Sequence, residues 1–410
     1  MTMPECRFCG QPVRDIFADL GRSPLANGFL RPEQLDREEP FHPLCARVCR
    51  SCFLVQLEEF AAPGDIFSDY AYFSSFSDSW LRHVETYAGT MTQKLGLHAG
   101  SQVIEIASND GYLLQFFQRR GVPVLGVEPA ANCARAASDR GIATWVRFFG
   151  TETARMLVAQ SLQADLLIGN NVLAHVPDLN DFVAGLQIAL KPTGVITMEF
   201  PHLQRLVEGS QFDTIYHEHF SYFSFLTVCA VFARHGLAIF DVEELPTHGG
   251  SLRIHAAHDT DTSRQVSAAV HDLTARERAL GYDRIETYGA FQQQVEHIRR
   301  DLVAFFAAAR TAGQTIAGYG APAKGNTLLN YCGITPKQLP FTVDRNPHKQ
   351  NLYLPGTHIP IRAPEAIEEA RPDYILILPW NLKEEIVAQL ATVRSWGGRF
   401  VVAVPELRIF

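Results

Sequence analysis

Residues 213–223 hold a dense group of side chains that can donate or accept protons. The stretch contains Tyr216, Glu218, His219 and Tyr222, and it follows an apolar run at residues 194–200 that predicts a buried strand. Ligands of open α/β sheets bind outside the carboxyl ends of the strands. Because histidine, carboxylate and phenol groups serve as general acids and bases, this stretch predicts a catalytic site. The alternative is a polar loop whose side chains satisfy one another.

Two CxxC pairs near the N-terminus have the spacing of a metal site. Cys6, Cys9, Cys49 and Cys52 supply four thiolates, which suits tetrahedral Zn²⁺ in a structural role because no coordination position stays open. Their segment has little apolar sequence of its own and many turn residues, so a metal would help it fold. Cys45 is a fifth thiol, either a replacement ligand or a buried small residue. A redox CxxC would need a βαβ context that is missing here.

Residues 101–200 alternate strand and helix patterns as a nucleotide-binding α/β unit does. Glu105 lies in the first predicted strand, the turn Ser108-Asn109-Asp110-Gly111 follows it, and Glu128 ends the second strand. The GxGxxG fingerprint of dinucleotide sites is absent. Glu128 stands where an acid binds ribose hydroxyls in such folds. These features favour S-adenosylmethionine over NAD only slightly. Acids such as Glu128 also occur as ordinary residues at strand ends.

Two later turns contain residues that suit an anion. Residues 248–253 end in Arg253 and could approach an anion through backbone N–H groups, although a Gly-Gly hairpin with a surface arginine explains them equally well. Gly320, Lys324 and Asn326 follow a predicted strand and resemble a phosphate cradle. They do not match the Walker pattern, and a turn needed only for helix–strand packing is the alternative.

The remaining pattern supplies the elements that would position these residues. An aromatic, hydroxyl-rich segment with Tyr70 and Tyr72 suits a substrate lid or a loop packed on the core, and residues 263–312 predict one or two long linking helices. Strands are predicted at residues 101–107, 123–127, 164–169, 194–200, 237–242, 251–255, 315–319, 340–344, 374–378 and 400–404, and helices at residues 81–95, 112–120 and 226–235, with another beginning at residue 327.

Composition limits the function classes. A chain of 410 residues predicts two or three domains. Its formal net charge of -8 argues against nucleic-acid binding. No apolar run is long enough for a membrane span, and the N-terminus has no secretory pattern, so a cytoplasmic protein is expected.

The order of the motifs resembles the bacterial sugar C-methyltransferase family. The CxxC pairs, EIASNDG with GVEP, NNVLAHVPD, YHEHFSYFS, HGGSLR and GYGAPAKGNT carry this resemblance over essentially the whole chain. Where the family commonly has a glycine after Glu-Ile, this chain has Ala107. The resemblance implies an α/β fold in three parts. These are a small zinc-binding domain (residues 1–66), a Rossmann-like S-adenosylmethionine-binding methyltransferase domain (67–260), and a second Rossmann-like α/β domain (261–410) after a helical linker.

The resemblance also implies the chemistry and the roles of residues. Members methylate C-3 of nucleotide-linked 4-keto-6-deoxysugars through an enolate, with S-adenosylmethionine as donor and a dTDP sugar as the first expectation. His219 would be the base and Glu218 an orienting neighbour. Further roles fall to three sets of residues. The enolate and sugar would contact Tyr216, Tyr222, His175, Tyr70 and Tyr72; the donor would contact Glu105, Ser108, Asp110, Gly111, Glu128, Asn170 and Asn171; the nucleotide diphosphate would contact Arg253, Gly320, Lys324 and Asn326.

Three other functions stay open at this point. A methyltransferase of the same layout could act on an oxygen or nitrogen of another small metabolite, and would need no acidic carbon. A nucleotide-sugar binding protein with a degenerate donor site would show no turnover. An NAD-linked dehydrogenase is disfavoured by the missing GxGxxG. The expected assembly is a monomer or a weak homo-oligomer.

Overall fold

The computed structural model describes residues 4–60, 64, 74–76 and 78–410, and contains three sheets. Tyr70 and Tyr72 lie outside the described residues. The strand orders are β1-β2-β3-β9, β10-β11-β8-β7-β4-β5-β6 and β14-β13-β12-β15-β16-β17. The predicted three-part α/β architecture is confirmed. Within the described ranges, no helix has both the length and the apolar character needed to cross a bilayer.

The first sheet is antiparallel and belongs mainly to the N-terminal part. Its strands are β1 (Asp15–Ser23), β2 (His42–Val48), β3 (Val55–Gln56) and β9 (Ser221–Tyr222). The expectation that this part has little apolar sequence was wrong, because Phe17, Leu44 and Val48 are buried. They are buried against another part of the chain: the ring of Phe17 stacks on Phe291, with centroids 4.5 Å apart.

The second sheet has seven strands in the middle of the chain. They are β4 (Val103–Ile106), β5 (Val124–Val127), β6 (Thr144–Trp145), β7 (Ala164–Asn170), β8 (Leu190–Pro201), β10 (Leu237–Leu245) and β11 (Ser251–His258). Only β11 runs against its neighbours β8 and β10. The strands β4, β5, β7 and β8 are parallel, so their carboxyl ends meet at one edge, where a ligand site is expected.

Helices connect the strands of this sheet. They are α1 (Asp78–Leu95), α2 (Leu114–Gln118), α3 (Ala131–Asp139), α4 (Thr151–Ala159), α5 (Leu179–Ala189), α6 (Leu203–Glu208) and α7 (Phe225–Arg234). The helix predicted at residues 112–120 is much shorter, because the turn before it has positive φ at Asn109 and Gly111. Such a backbone cannot continue into a helix until the turn has ended.

The third sheet follows two helices, α8 (Ala268–Ala279) and α9 (Phe291–Thr311). Its strands are β12 (Ile316–Tyr319), β13 (Thr342–Val343), β14 (Ile361–Arg362), β15 (Tyr374–Ile377), β16 (Arg399–Val402) and the antiparallel β17 (Arg408–Ile409). Its helices are α10 (Ala323–Cys332), α11 (Ala366–Ala370) and α12 (Lys383–Gln389). Helix α10 begins four residues before its predicted start at residue 327, which places Lys324 in its first turn.

Candidate active site

The four cysteines of the two CxxC pairs come together. Their Sγ atoms all lie within 4.8 Å of one another, with Cys6–Cys52 and Cys9–Cys49 each at 3.5 Å. Sulfur atoms ~2.3 Å from a tetrahedral Zn²⁺ would be ~3.8 Å apart, so the arrangement fits a zinc ion with four sulfur ligands. Cys45 lies on β2 opposite Asp19 and is not part of this group. Its position excludes the replacement-ligand alternative for this arrangement.

The N-terminal sheet holds the segment predicted to be catalytic. Strand β9 is the edge strand beyond β3, with Tyr222 opposite Val55. Leu57 N donates to Phe220 O at 3.0 Å, and His217 Nε2 donates to Pro43 O at 3.1 Å. Since these contacts fix the backbone on both sides of Glu218 and His219, the metal-binding part of the chain helps shape the catalytic segment.

His219 is buried with its tautomer set by the backbone. Nδ1 lies 2.8 Å from Thr214 O, and a carbonyl oxygen only accepts, so Nδ1 carries the proton and Nε2 is the basic nitrogen. Burial lowers the pKa of His219 well below its ordinary value, and the neighbouring His175 lowers it further. The imidazole is therefore neutral near pH 7 and able to take a proton at Nε2.

Three of the predicted partners surround this imidazole. The ring centroid of Tyr216 lies 4.0 Å from that of His219, His175 lies at 4.7 Å and Tyr222 at 6.1 Å. Burial lowers the pKa of His175 to about 4 and raises that of Tyr222 well above its ordinary value. His175 and Tyr222 are therefore neutral near pH 7 beside the neutral imidazole of His219. In such a buried setting a negative charge on a ligand would interact strongly with nearby hydrogen-bond donors.

Glu218 is buried beside His219. Its Oε1 accepts from Asn27 Nδ2 at 2.7 Å, whereas Oε2 has no hydrogen-bond partner among the described residues. Burial raises the pKa of Glu218 to about 7, although Asn27 and the charge of Lys349 act in the opposite direction. Glu218 can therefore change its protonation state near neutral pH.

The C-terminal part closes the other side of the segment. Trp380 Nε1 donates to Asp213 Oδ2 at 2.7 Å, and Lys324 Nζ lies 4.6 Å from the Trp380 ring and donates to Asn381 Oδ1 at 2.9 Å. Burial raises the pKa of Asp213 to about 6 and lowers the pKa of Lys324. The predicted phosphate cradle thus borders the catalytic segment.

Two other members of the predicted cradle have defined neighbours. Gly320 has φ 90°, and a Cβ there would lie 2.5 Å from Pro379 Cδ, so only glycine fits without a shift. Asn326 is buried and donates to Ala26 O at 3.4 Å. The cradle therefore also contacts the N-terminal part.

Arg253, which was grouped with this cradle, has other partners. It lies on β11, where NH2 is 2.9 Å from Glu199 Oε2 and NH1 is 3.1 Å from Glu243 Oε2. Its guanidinium also stacks 4.5 Å from the Tyr87 ring. Two carboxylates balance its charge, which argues against Arg253 as a phosphate ligand. The preceding turn does reach the C-terminal part, since a Cβ on Gly249 would lie 2.5 Å from the Trp380 ring.

A polar turn follows β4 at the far end of the middle sheet. Ala107, Asn109 and Gly111 have φ of 55°, 50° and 75°, an arrangement that costs a non-glycine residue about 1–2 kcal/mol. Glu128 Oε2 accepts from Asn109 N at 2.9 Å, and Oε1 accepts from Ala130 N at 2.8 Å. The carboxylate of Glu128 is therefore oriented by the loops on both sides of it.

Several buried polar atoms at this edge lack a protein partner. In the described part of the chain no hydrogen bond satisfies Ser108 Oγ, Asp110 Oδ1 or Asn171 Oδ1, whereas the Glu105 carboxyl interacts with the hydroxyl of Tyr112. Burial raises the pKa of Glu105 well above its ordinary value. Buried polar atoms are normally hydrogen-bonded, so this group at the ends of β4 and β7 fits a polar ligand. Asn170 is buried at the end of β7 beside it.

Asp110 also has a structural partner on its other oxygen. Oδ2 lies 3.1 Å from Arg140 NH1 and contacts Ser75 Oγ, and Ser74 N donates to Asn109 Oδ1 at 3.0 Å. The short segment Ser74–Phe76 is thereby attached to the turn after β4. Asp110 holds this cover in place in addition to facing the polar site.

Three family models match successive parts of the chain. One described as "Putative zinc binding domain" matches residues 6–67, a methyltransferase domain matches residues 80–242, and a C-methyltransferase C-terminal domain matches residues 246–405. The C-methyltransferase NovU of Streptomyces niveus is 36% identical over 405 residues, which cover 99% of this chain and 96% of NovU. This chain belongs to the C-methyltransferase family.

Two further similarities to this C-methyltransferase are more distant. The ubiquinone biosynthesis O-methyltransferase of Rhodopseudomonas palustris is 26% identical over 100 residues, covering 24% of this chain and 40% of that protein. The structure of magnesium protoporphyrin IX methyltransferase (ChlM) from Synechocystis, solved with bound S-adenosylmethionine, covers 43% of this chain and 79% of its own at 13% identity and a TM-score of 0.33. A score that low supports no inference.

The family assignment gives the polar site and the cysteine group their ligands. The protein is an S-adenosylmethionine-dependent C-methyltransferase with a zinc-binding N-terminal domain. The unsatisfied oxygens of Ser108, Asp110 and Asn171 suit a polar ligand such as the methyl donor, and the assignment of Glu128 to its ribose hydroxyls stays a prediction.

Three residues that border the segment 213–223 were not among the sequence-based candidates. Asn27, Lys349 and Trp380 contact or face this segment. Trp380 lies three residues beyond the end of β15, so its place near a strand's carboxyl end was a usable signal. Asn27 lies in a loop of the zinc-binding domain and carries no such signal.

Proposed function

We propose that this C-methyltransferase methylates C-3 of a nucleotide-linked 4-keto-6-deoxysugar, with a dTDP sugar as the first candidate, through an enolate formed by His219. The observation that supports this proposal is the hydrogen bond from His219 Nδ1 to Thr214 O. It leaves Nε2 of the buried imidazole as the nitrogen that can accept a proton.

A carbon acceptor explains why such a base is needed. An oxygen or nitrogen acceptor already has a lone pair, whereas a sugar carbon must first lose a proton. A neighbouring ketone makes that proton acidic because the charge passes to the ketone oxygen. His219 would take the proton from C-3. The enolate carbon would then attack the methyl group of S-adenosylmethionine, with the sulfur–methyl bond breaking and S-adenosylhomocysteine leaving.

The groups around the base suit the charge that develops. Tyr216 and His175 lie beside His219 and can donate to an enolate oxygen, a type of contact that contributes on the order of 3 kcal/mol. On the other side, Lys324 is half-buried, and desolvation lowers its pKa although Asp213 acts in the opposite direction. A diphosphate next to it would add negative charge that favours the ammonium form.

The first test is mass spectrometry of a panel of nucleotide-linked 4-keto-6-deoxysugars incubated with the enzyme and S-adenosylmethionine in D₂O. A product one methyl group heavier, formed together with S-adenosylhomocysteine, would support the proposal and identify the nucleotide. Deuterium uptake at C-3 without methylation would support the base and count against the donor site. If neither change occurs across the panel, the sugar acceptor is wrong and oxygen or nitrogen acceptors follow.

A further inference from the structure

A loop of the zinc-binding domain, residues 24–31, reaches into the acceptor site. Asn27 Nδ2 donates to Glu218 Oε1 at 2.7 Å, across 191 positions of sequence. Ala26 O accepts from Asn326 of the C-terminal domain at 3.4 Å. The loop therefore lies between the catalytic segment of the middle domain and the cradle of the C-terminal domain.

The loop does not depend on Asn27 for its position. Leu30 and Tyr353 exchange two backbone hydrogen bonds, at 3.0 and 2.8 Å, and Lys349 Nζ lies 5.0 Å from the Phe29 ring. Gln34 Oε1 accepts from Arg31 N at 2.8 Å and closes the end of the loop. With these contacts in place, the Asn27 amide is available for a role in the site.

The environment of Glu218 defines that role. Glu218 is 3% exposed, and Oε2 has no hydrogen-bond partner in the ranges that the structure describes. Three charged or titratable groups face Glu218: Lys349, His175 and the adjacent His219. Lys349 Nζ donates to Ala321 O at 2.9 Å, and His175 contacts the backbone of Glu218. A buried carboxylate oxygen without a partner is costly unless a ligand supplies one.

We propose that Asn27 is a positioning residue of the transfer reaction, whose amide holds Glu218 by Oε1 and thereby presents Oε2 to a hydroxyl group of the sugar acceptor. This inference rests on the proposed function, because it assigns the acceptor a hydroxyl near the methylated carbon. It gives the zinc-binding domain a direct part in acceptor binding.

The amide also favours the charged form of Glu218. An N–H donor stabilises a carboxylate over a carboxylic acid, and Asn27 is the first of the contacts that oppose the effect of burial on the Glu218 pKa. Without this donor, Glu218 would stay protonated to higher pH and would lose its preferred orientation. Acceptor binding would then require more alkaline conditions.

The test compares Asn27→Ala, Asn27→Asp and the control Gln34→Ala. Gln34 supports the same loop without touching Glu218. The pH dependence of kcat/KM for the sugar acceptor is measured for each variant, alone and combined with Glu218→Gln. In Asn27→Ala, the fall of kcat/KM on the acidic side of the profile should move to higher pH by on the order of one unit. The shift should be larger in Asn27→Asp, because a second carboxylate replaces the donor. Gln34→Ala should leave the profile unchanged, and changes at Asn27 should have no effect on it when Glu218→Gln is present.

A second measurement separates this inference from the proposed function. The infrared band of the protonated Glu218 carboxyl, identified by its loss in Glu218→Gln, is titrated in wild type and in Asn27→Ala without any acceptor. A higher midpoint in Asn27→Ala supports the inference even if the sugar panel fails. Equal midpoints in the two proteins, or an equal shift in Gln34→Ala, would overturn it even if the sugar is methylated.

Discussion

The proposed donor end, around Glu128, and the proposed acceptor end, around Glu218 and His219, are built in different ways. At the donor end, Glu128 is oriented by Asn109 N and Ala130 N. Both of these hydrogen-bond donors lie in loops of the seven-stranded sheet. At the acceptor end, Glu218 and Asp213 of the middle domain contact Asn27 of the zinc-binding domain and Trp380 of the C-terminal domain. The donor end should therefore withstand changes in the outer domains, and the acceptor end should not.

The largest effect is expected from removing a zinc ligand. Cys49→Ser should release the metal, because a structural zinc site contributes about 10–16 kcal/mol to folding and depends on all four ligands. The sheet that includes β9 would then lose its support, and turnover should be lost. Zinc content by elemental analysis, turnover and S-adenosylmethionine affinity by calorimetry are the measurements.

The matched control for this change is Cys45→Ser, on the same strand region but outside the cysteine group. It should keep both the zinc and the activity. A Cys49→Ser protein that retains one tightly held zinc ion and normal turnover would contradict the structural role. If donor affinity fell as far as turnover, the two ends would not be independent.

The next largest effect is expected at the base. His219→Asn should lower turnover by about 10²- to 10⁴-fold, the usual contribution of a general base, with donor affinity unchanged. The rate of S-adenosylhomocysteine formation and calorimetry with S-adenosylmethionine measure the two effects separately. His348→Asn, at an exposed position, is the matched control. Near-normal turnover in His219→Asn would contradict the assignment of His219 as the base.

At the donor end, Glu128→Gln removes a charge from a carboxylate that two backbone N–H groups orient. Hydrogen bonds to charged groups contribute about 1.5–3 kcal/mol, so the affinity for S-adenosylmethionine should fall about 10- to 100-fold. Turnover at saturating donor should change little. Glu152→Gln, at an exposed position on α4, serves as control. Unchanged donor affinity in Glu128→Gln would argue that the ribose binds elsewhere.

The sequence was sufficient to predict the strands and turns that carry the proposed donor residues and the segment 213–223, because the patterns that define them are local. Glu105 lies in a strand with a clear apolar pattern, Glu128 directly follows another, and His219 lies in the segment after a third. Because the carboxyl ends of parallel strands meet at one edge of the sheet, residues near those ends can be predicted to lie together. The four zinc ligands were readable from spacing alone. In each case the residues that define the feature are close together in the chain or are joined by one simple rule.

The sequence was insufficient where the structure depends on contacts between distant parts. Nothing near Asn27 shows that its loop will meet Glu218, and Arg253 resembled an anion ligand because its partners Glu199 and Glu243 lie on other strands. The strands β1 and β2 were missed because their apolar residues pack on α9, more than 200 positions away. β14 and β17 are two residues long, too short for any pattern.

The smallest effect tests the contact between the acceptor end and the C-terminal domain. Burial raises the pKa of Asp213 to about 6, from an ordinary value of about 4 for an aspartate. Since the folded-state pKa is the higher one, the folded protein binds the proton more tightly, and its stability should fall as pH rises from about 4 to about 6. The full change for this group is on the order of 3 kcal/mol, and it should be absent in Asp213→Asn.

The measurement is the difference in unfolding free energy between wild type and Asp213→Asn across this pH range. Wild type should lose stability relative to the variant as pH rises to about 6, and the difference should then level off. Asp15→Asn is a control with the opposite sign, because the hydrogen bond from Arg50 lowers the pKa of Asp15. The unfolding free energy of wild type should therefore increase relative to that of Asp15→Asn as pH rises. A flat difference for Asp213→Asn would mean that solvent reaches this carboxylate, and that the acceptor end is less closely sealed by the C-terminal domain than Trp380 implies.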